Sequence, residues 1–157
     1  MADADVITIW VGFNDLVTPQ MLYLNGMCGG DENLDCIRDR VGEMNENIDG
    51  ILDEILALNP SEETRIMIAD NAIPPVFVTS WKNHGSFDVL QDEACESWQE
   101  HIHLAARERG IIVIPSYKAI NGPLGDQVDD GLYQTDGIHF NEAGQKFLAD
   151  LHREAWE

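Results

Sequence analysis

Three stretches of the sequence are dominated by apolar and β-branched residues, at 6–13, 64–70 and 111–117. The first of them, "VITIWVGF", has no polar face, and we expect its Trp10 to lie in the core. Runs of this kind are typical of strands that are covered on both sides, as in parallel sheets. The apolar pattern therefore predicts three buried strands.

Three longer stretches show the spacing of helices. Residues 36–58 and 88–109 each carry one apolar stripe, and Gly110 ends the second of them. Asn141 is a suitable N-cap for a last helix over 142–155. The apolar positions of the two stripes are Ile37, Val41, Met44, Ile48, Leu52 and Ile55 in the first, and Leu90, Ala94, Trp98, Ile102 and Ala105 in the second.

Turn-forming residues fill the remaining segments. We predict a long loop from Pro74-Pro75 through "WKNHGSF" and a second one over 121–137. Strands and helices then alternate, which predicts an α/β fold with a parallel sheet and helices on both faces. No repeat and no linker divides the chain, so residues 1–157 form one domain.

The charge of the chain is strongly one-sided, with 29 acidic against 9 basic residues and a formal net charge of −20. Such a surface repels nucleic acids and anionic membranes, since phosphate binding needs Lys and Arg. No apolar run approaches the roughly 20 residues of a membrane-spanning helix. The short acidic start does not have the pattern of a signal peptide.

The three cysteines fall into two settings. Cys28 and Cys36 flank the turn-rich loop "CGGDENLDC", whose ends can meet in a disulfide. Two cysteines without a nearby His make a poor metal site, so we predict the disulfide and an oxidising compartment. Cys95 lies in a helical pattern and is expected to be a buried thiol.

The run "TDGIHF" near the C-terminus carries candidate chemistry. Asp136 lies three residues before His139, in a turn that leads into a helix. The carboxylate can accept the Nδ1–H of the imidazole and leave Nε2 free as a general base. The alternative is an Asp–His pair that only closes a loop.

A second candidate stretch, "GFND", follows the first predicted strand. Asn14, preceded by Gly12, can turn its amide toward the cleft at the carboxyl ends of the strands and stabilise an oxyanion. The alternative is that Asn14 and Asp15 only form a turn.

Together, "ITIWVGFNDL" and "DGIHFNEAGQKFLADL" resemble the G-x-N-D and D-x-x-H blocks of SGNH (GDSL-type) hydrolases. The resemblance implies a flavodoxin-like three-layer fold and hydrolysis of a small-molecule ester through an acyl-enzyme, without metal or cofactor. His139 would be the general base and Asp136 its orienting partner. Asn14 would be an oxyanion-hole donor, with Gly12 shaping the turn beneath it.

The family's nucleophile block, G-D-S on the first strand, is not found in this sequence, and neither is its second glycine block. By this resemblance the chain begins at the family's third strand and the N-terminal strands are missing. The serines expected near a strand or loop end are Ser80, Ser86 and Ser116, which we consider as substitute nucleophiles. Ser61 is expected to cap a helix and Ser97 to lie on one.

Three interpretations of this departure stay open. The chain is a fragment of a longer gene, a short enzyme that recruits another nucleophile, or a non-catalytic domain that binds a ligand or dimerises. Without a neighbouring strand, 6–13 forms an unpaired sheet edge, so we expect a homodimer through it. The Cys28–Cys36 loop resembles secreted-type members of the family, so we expect a secreted or periplasmic protein.

Two other groups of polar residues are expected to be solvated. His101 and His103 are two positions apart on a predicted helix and point in different directions. Asp126, Asp129 and Asp130 lie in a loop that lacks the distal Glu of a calcium site.

Overall fold

The structure, a computed structural model, describes residues 4–58 and 63–157. Strands β1 (Val6–Ile9), β2 (Arg65–Ala69) and β3 (Ile112–Ile114) form a parallel sheet in the order β1-β2-β3. In its register Ile9 pairs with Ile68, and Ile68 pairs with Val113. All three strands therefore end at the same edge of the sheet, and the predicted parallel arrangement is confirmed.

Helices connect and cover these strands. In chain order they are α1 (Phe13–Leu24), α2 (Asp35–Ala57), α3 (Pro75–Asn83), α4 (Phe87–Leu90), α5 (Ser97–Glu108), α6 (Ser116–Asn121) and α7 (Glu142–Trp156). A π-helical turn, Gln91–Glu96, joins α4 to α5, and a 3₁₀ turn, Asp130–Leu132, lies in the loop before α7.

The sheet separates two apolar layers. On one face the buried side chains of α2 and α5 pack with those of β1 and β2 in the largest core cluster. On the other face Met67, Ala69 and Ile114 pack against Leu151 and Ala155 of α7. Helices therefore cover both faces of the sheet, and the predicted three-layer α/β architecture is confirmed.

The strand predicted over 6–13 is too long. It ends at Ile9, and the helix α1 that begins at Phe13 was not predicted. An unbroken apolar run carries no period, so it does not show where a strand ends and a helix begins. Trp10 lies just past the strand and is 37% exposed, so its expected place in the core is wrong.

The loop predicted from Pro74 to Phe87 is also wrong in part, because α3 occupies Pro75–Asn83. Pro75 stands in the first turn of the helix, where its missing N–H costs nothing. Val78 and Trp81, three positions apart, are fully buried on the inner side of α3. The prediction gave too much weight to the two prolines and too little to this spacing.

The disulfide between Cys28 and Cys36 is present, with their Cα atoms 4.9 Å apart. The loop between them is held by further bonds, since the Cys36 N–H donates to the Cys28 carbonyl at 2.9 Å and the Cys28 N–H donates to Asn33 Oδ1 at 2.7 Å. Cys95 is a buried thiol as predicted, and its burial raises its pKa above the ordinary value.

Ser61, expected to cap a helix, lies outside the described residues. Within the two described ranges, no helix combines the length and the apolar character that crossing a membrane requires.

Replacing both Cys28 and Cys36 with Ser should lower the free energy of unfolding by about 2–3 kcal/mol, the effect expected for closing a loop of this length. Urea denaturation monitored by circular dichroism measures the difference. Dithiothreitol should lower the free energy of unfolding of the parent protein by the same amount. It should leave the free energy of unfolding of the double variant unchanged. A parent whose stability does not respond to reductant would contradict the prediction.

Candidate functional site

The carboxyl ends of β1 and β2 and the loop before α7 surround one cavity of about 540 Å³. Asn14, from the first turn of α1, and His139, from the loop, both line it. The two sequence blocks are therefore brought together, although 125 positions separate these residues along the chain. The cavity is lined by Trp10, Val11, Gly12, Phe13, Asn14, Asn71, Ala72, Pro74, Tyr133, Gln134, Ile138, His139, Phe140, Gln145 and Leu148.

Asp136 and His139 form a hydrogen-bonded pair. His139 Nδ1 lies 2.8 Å from Asp136 Oδ2, and the other carboxylate oxygen accepts the backbone N–H groups of Ile138 at 2.9 Å and His139 at 3.0 Å. Three contacts therefore fix the carboxylate and, through it, the ring. The Nε2 atom of His139 has no hydrogen-bond partner among the described residues, and the side chain is 73% exposed.

The same contacts hold the Asp136 carboxylate in its charged form. They lower its pKa to about 2, with the hydrogen bond from His139 as the largest cause and the backbone N–H groups of Ile138 and His139 next. Hydrogen bonds donated to a carboxylate favour ionisation. Asp136 is thus an anion wherever His139 acts as a base.

Gly12 makes the turn between β1 and α1 possible. Its φ of 110° lies in the region that favours glycine, and a Cβ at this position would lie 2.1 Å from the Trp98 ring. Its carbonyl accepts the Asp15 N–H at 2.9 Å, which starts the helix. The turn leaves Asn14 exposed at the cavity, with no side-chain hydrogen bond to the described residues.

Asn71 is a residue of the site that the sequence reading missed. It is buried two positions after the end of β2, where it accepts the Trp10 indole N–H and donates to the Val11 carbonyl at 2.8 Å. The Trp10 ring in turn lies 5.7 Å from that of Phe140, the neighbour of His139. A polar residue just past a buried strand is the available signal, but the predicted strand ends at residue 70 and no role is predicted for Asn71.

The candidate nucleophiles do not reach this cavity. Ser80 lies on α3, Ser86 precedes α4, and neither is among the lining residues. Ser116 is fully buried and donates to the backbone carbonyl and to Oδ1 of Asp70. The structure therefore does not bring Ser80, Ser86 or Ser116 to the cavity that His139 lines.

No group of three or more His, Cys, Asp or Glu side chains that could hold a metal ion is present among residues 4–58 and 63–157. The lining of the cavity itself contains no carboxylate and no cysteine. Its functional groups are the imidazole of His139, the amides of Asn14, Asn71, Gln134 and Gln145, and the phenol of Tyr133.

The model of the GDSL-like lipase/acylhydrolase family matches residues 1–147. No curated protein and no solved structure matches the chain. The family match includes Gly12, Asn14, Asp136 and His139.

Replacing His139 with Ala should raise the pKa of the Asp136 carboxyl from about 2 toward its ordinary value of 3.8, because the largest cause of the depression is removed. A titration of carboxyl ¹³C shifts by NMR measures both proteins. In the parent, the stability that this pair contributes is complete above 3.8 and is lost as the pH falls toward 2.

The Asp150 carboxyl is the internal control, since Lys146 and Arg153 lower its pKa and neither contacts His139. Its titration should be the same in both proteins. An Asp136 carboxyl that already titrates at its ordinary pKa in the parent would show that the pair is not formed in solution.

Proposed function

Because the chain belongs to the GDSL-like lipase/acylhydrolase family, whose members are hydrolases, we propose that it hydrolyses carboxylic esters in the cavity beside His139. The observation that carries the proposal is the meeting of His139, paired with Asp136 at 2.8 Å, and Asn14 at one cavity. A general base and an amide donor on the same cavity are two of the groups that ester hydrolysis uses.

His139 acts as the general base through its free Nε2 atom. It takes the proton of the attacking hydroxyl while the oxygen adds to the ester carbonyl carbon. It then returns the proton to the alcohol oxygen as the C–O bond breaks. Asp136 stays ionised, fixes the tautomer and stabilises the imidazolium that forms between these steps.

Asn14 stabilises the negative charge on the carbonyl oxygen. Its side-chain amide is exposed at the cavity and has no internal partner among the described residues, so it is available to donate. Asn71, held by Trp10 and Val11, keeps the end of β1 in place and thereby positions Asn14. Fixed donors are effective because they need no rearrangement when the charge develops.

None of the lining residues is Ser, Thr or Cys, and burial raises the pKa of the Tyr133 phenol above its ordinary value, so the attacking hydroxyl comes from outside the lining residues. A water molecule at Nε2, or a serine hydroxyl supplied by another chain, meets this requirement. With water, the acid and the alcohol are released in one addition and elimination. With a serine, an acyl-enzyme forms first and is then hydrolysed.

The lining also favours uncharged substrates. It contains no Asp, Glu, Lys or Arg, although charged residues make up 24% of the chain. A charged group that enters this cavity loses hydration without gaining an opposite charge. The exposed Trp10 ring and the four amides suit a neutral ester with both apolar and polar parts.

The alternative function is a non-catalytic domain that binds a neutral ligand in the same cavity. The absence of Ser, Thr and Cys from the lining is the observation that favours it. The two functions differ in one measurable respect, which is whether His139 is needed for the turnover of an ester.

Replacing His139 with Ala should reduce kcat/KM for p-nitrophenyl acetate by about 10²–10⁴-fold, the usual contribution of a general base. Replacing Asn14 with Ala should reduce it by about 10²–10³-fold, the loss expected for one oxyanion donor. His84→Ala is the matched control, since His84 is exposed at the end of α3 and does not line the cavity.

Turnover that is equal in the parent and in His139→Ala would refute catalysis by the pair. A parent without turnover that still binds a neutral ester analogue in this cavity would support the alternative. Chemical-shift changes at His139 and Asn14 report that binding.

We also propose a secreted or periplasmic location. The Cys28–Cys36 disulfide supports it, because structural disulfides persist in oxidising compartments.

We further propose a homodimer through β1. Within the described part of the chain β1 pairs only with β2, so its other edge is open. Val6 on this strand is exposed, and a further cavity beside it is lined by Thr8, Met67 and Trp156. An open apolar edge favours pairing with a second strand.

Replacing Val6 with Lys should convert the dimer to a monomer, because a charge on an edge strand opposes strand pairing. Size-exclusion chromatography with light scattering measures the mass. Leu124→Lys is the control, because Leu124 is still more exposed but lies in the loop after α6. A parent that runs as a monomer at all accessible concentrations would refute the dimer.

A further inference from the structure

A second cavity, of about 360 Å³, lies beyond the ends of β2 and β3, against α5 and α6. It shares no lining residue with the cavity of His139. Its lining consists of Asp70, Glu96, Gln99, Glu100, His103, Leu104, Arg107, Pro115, Tyr117 and Lys118. Charged side chains are thus concentrated here, whereas the first cavity has none of Asp, Glu, Lys or Arg.

Asp70 is the fixed point of this cavity. Its side chain is only 4% exposed, and its carboxylate accepts the Tyr117 N–H at 2.8 Å and the Ser116 hydroxyl at 3.2 Å. The second carboxylate oxygen lies 3.0 Å from His103 Nε2. His103 is therefore a positioned side chain and not the free surface histidine that its sequence setting indicates.

Two cations at this cavity lack the partners that other cations of the chain have. The sequence contains nine Lys and Arg residues, and six of them form ion pairs with carboxylates: Arg38, Arg40, Lys82, Arg109, Lys146 and Arg153. Arg65 lies over the Trp156 ring. Arg107 and Lys118 form no side-chain hydrogen bond or ion pair with the described residues, and both line the cavity.

This arrangement is unexpected in a chain with 29 acidic residues. Glu96 and Glu100 line the same cavity, yet neither forms an ion pair with Arg107 or Lys118, and Glu96 instead accepts from Gln91 Nε2 at 2.9 Å. The two cations are thus available to an external anion. The two glutamates oppose a second negative charge on the same ligand.

Of the four other lining residues, Gln99 is polar and donates to the Asn71 carbonyl at 3.0 Å, and Leu104, Pro115 and Tyr117 offer apolar surface. Leu104 is 42% exposed, and Pro115 and the ring of Tyr117 lie beside it in the lining. A ligand that fits must combine one anionic group with an apolar body. We propose that this cavity binds a small organic monocarboxylate, with Arg107 and Lys118 on the carboxylate and Leu104 and Pro115 on the apolar body.

Hexanoate is a suitable probe. Titrated into the full chain and followed by ¹H–¹⁵N NMR, it should give saturable shifts at His103, Arg107 and Lys118, with His139 unchanged. Hexanamide, which keeps the shape without the charge, and hexanedioate, which adds a second carboxylate, should each bind more weakly. Binding should also weaken as salt is added.

Arg107→Gln and Lys118→Gln should each weaken hexanoate binding by about tenfold or more, the loss expected for one charge-assisted hydrogen bond. Lys146→Gln is the matched control, since Lys146 is paired with Asp150 on α7. It should bind hexanoate as the parent does. The unchanged remainder of each spectrum verifies that the variants are folded.

Equal binding of hexanamide and hexanoate, or shifts confined to His139, would overturn the proposal, as would the absence of saturable binding. His139→Ala separates this site from the proposed hydrolase. That variant should lose ester turnover and keep hexanoate binding, so either function can fail without the other.

Discussion

Parallel pairing of three short strands is the constraint on which both cavities depend. Because β1, β2 and β3 run in the same direction, Gly12, Asn71 and Ser116 all follow strand ends at one edge of the sheet. The bends at these positions are held by side chains that reach between strands. Asn71 binds Trp10 and Val11, and Asp70 binds Ser116 and Tyr117. Two adjacent residues at the end of β2 thus organise the regions on either side of the central strand.

The chain uses the same carboxylate–imidazole contact in two different surroundings. Asp136 has a side chain that is 44% exposed, and its partner His139 binds through Nδ1, which leaves Nε2 free toward a large uncharged cavity. Asp70 is buried, and its partner His103 binds through Nε2 beside two cations. The first arrangement suits proton transfer to a neutral substrate. The second suits the retention of an anion, since a buried carboxylate holds the ring while Arg107 and Lys118 supply positive charge.

The two cavities differ in the charge of their linings because of where the few Lys and Arg side chains lie. Six of the nine are held by carboxylates, mostly on the surface, where each pair adds little stability. The remaining surface is acidic, so the field around the molecule repels anions. Binding of a monocarboxylate therefore needs local positive charge close to its carboxylate. The uncharged lining around His139 leaves neutral esters unaffected by this field.

The sequence by itself determined the elements whose side chains have a period. The stripes of α2 and of the segment ending with α5 are spaced by three and four, so their buried faces were predictable residue by residue, and Asn141 marked the start of α7. It also determined the Asp136–His139 contact, because three positions in a turn bring the side chains together without help from the rest of the chain.

Only the tertiary structure decided the end of β1, the place of Trp10 and the roles of Asn71 and Asp70. The run around Trp10 is apolar without a period, so it does not reveal the turn at Gly12, where the Trp98 ring leaves no room for a side chain. Asn71 and Asp70 have partners up to 61 positions away, which no local pattern encodes. Their contacts exist because parallel strands bring distant ends together, and that is a property of the sheet and not of any one segment.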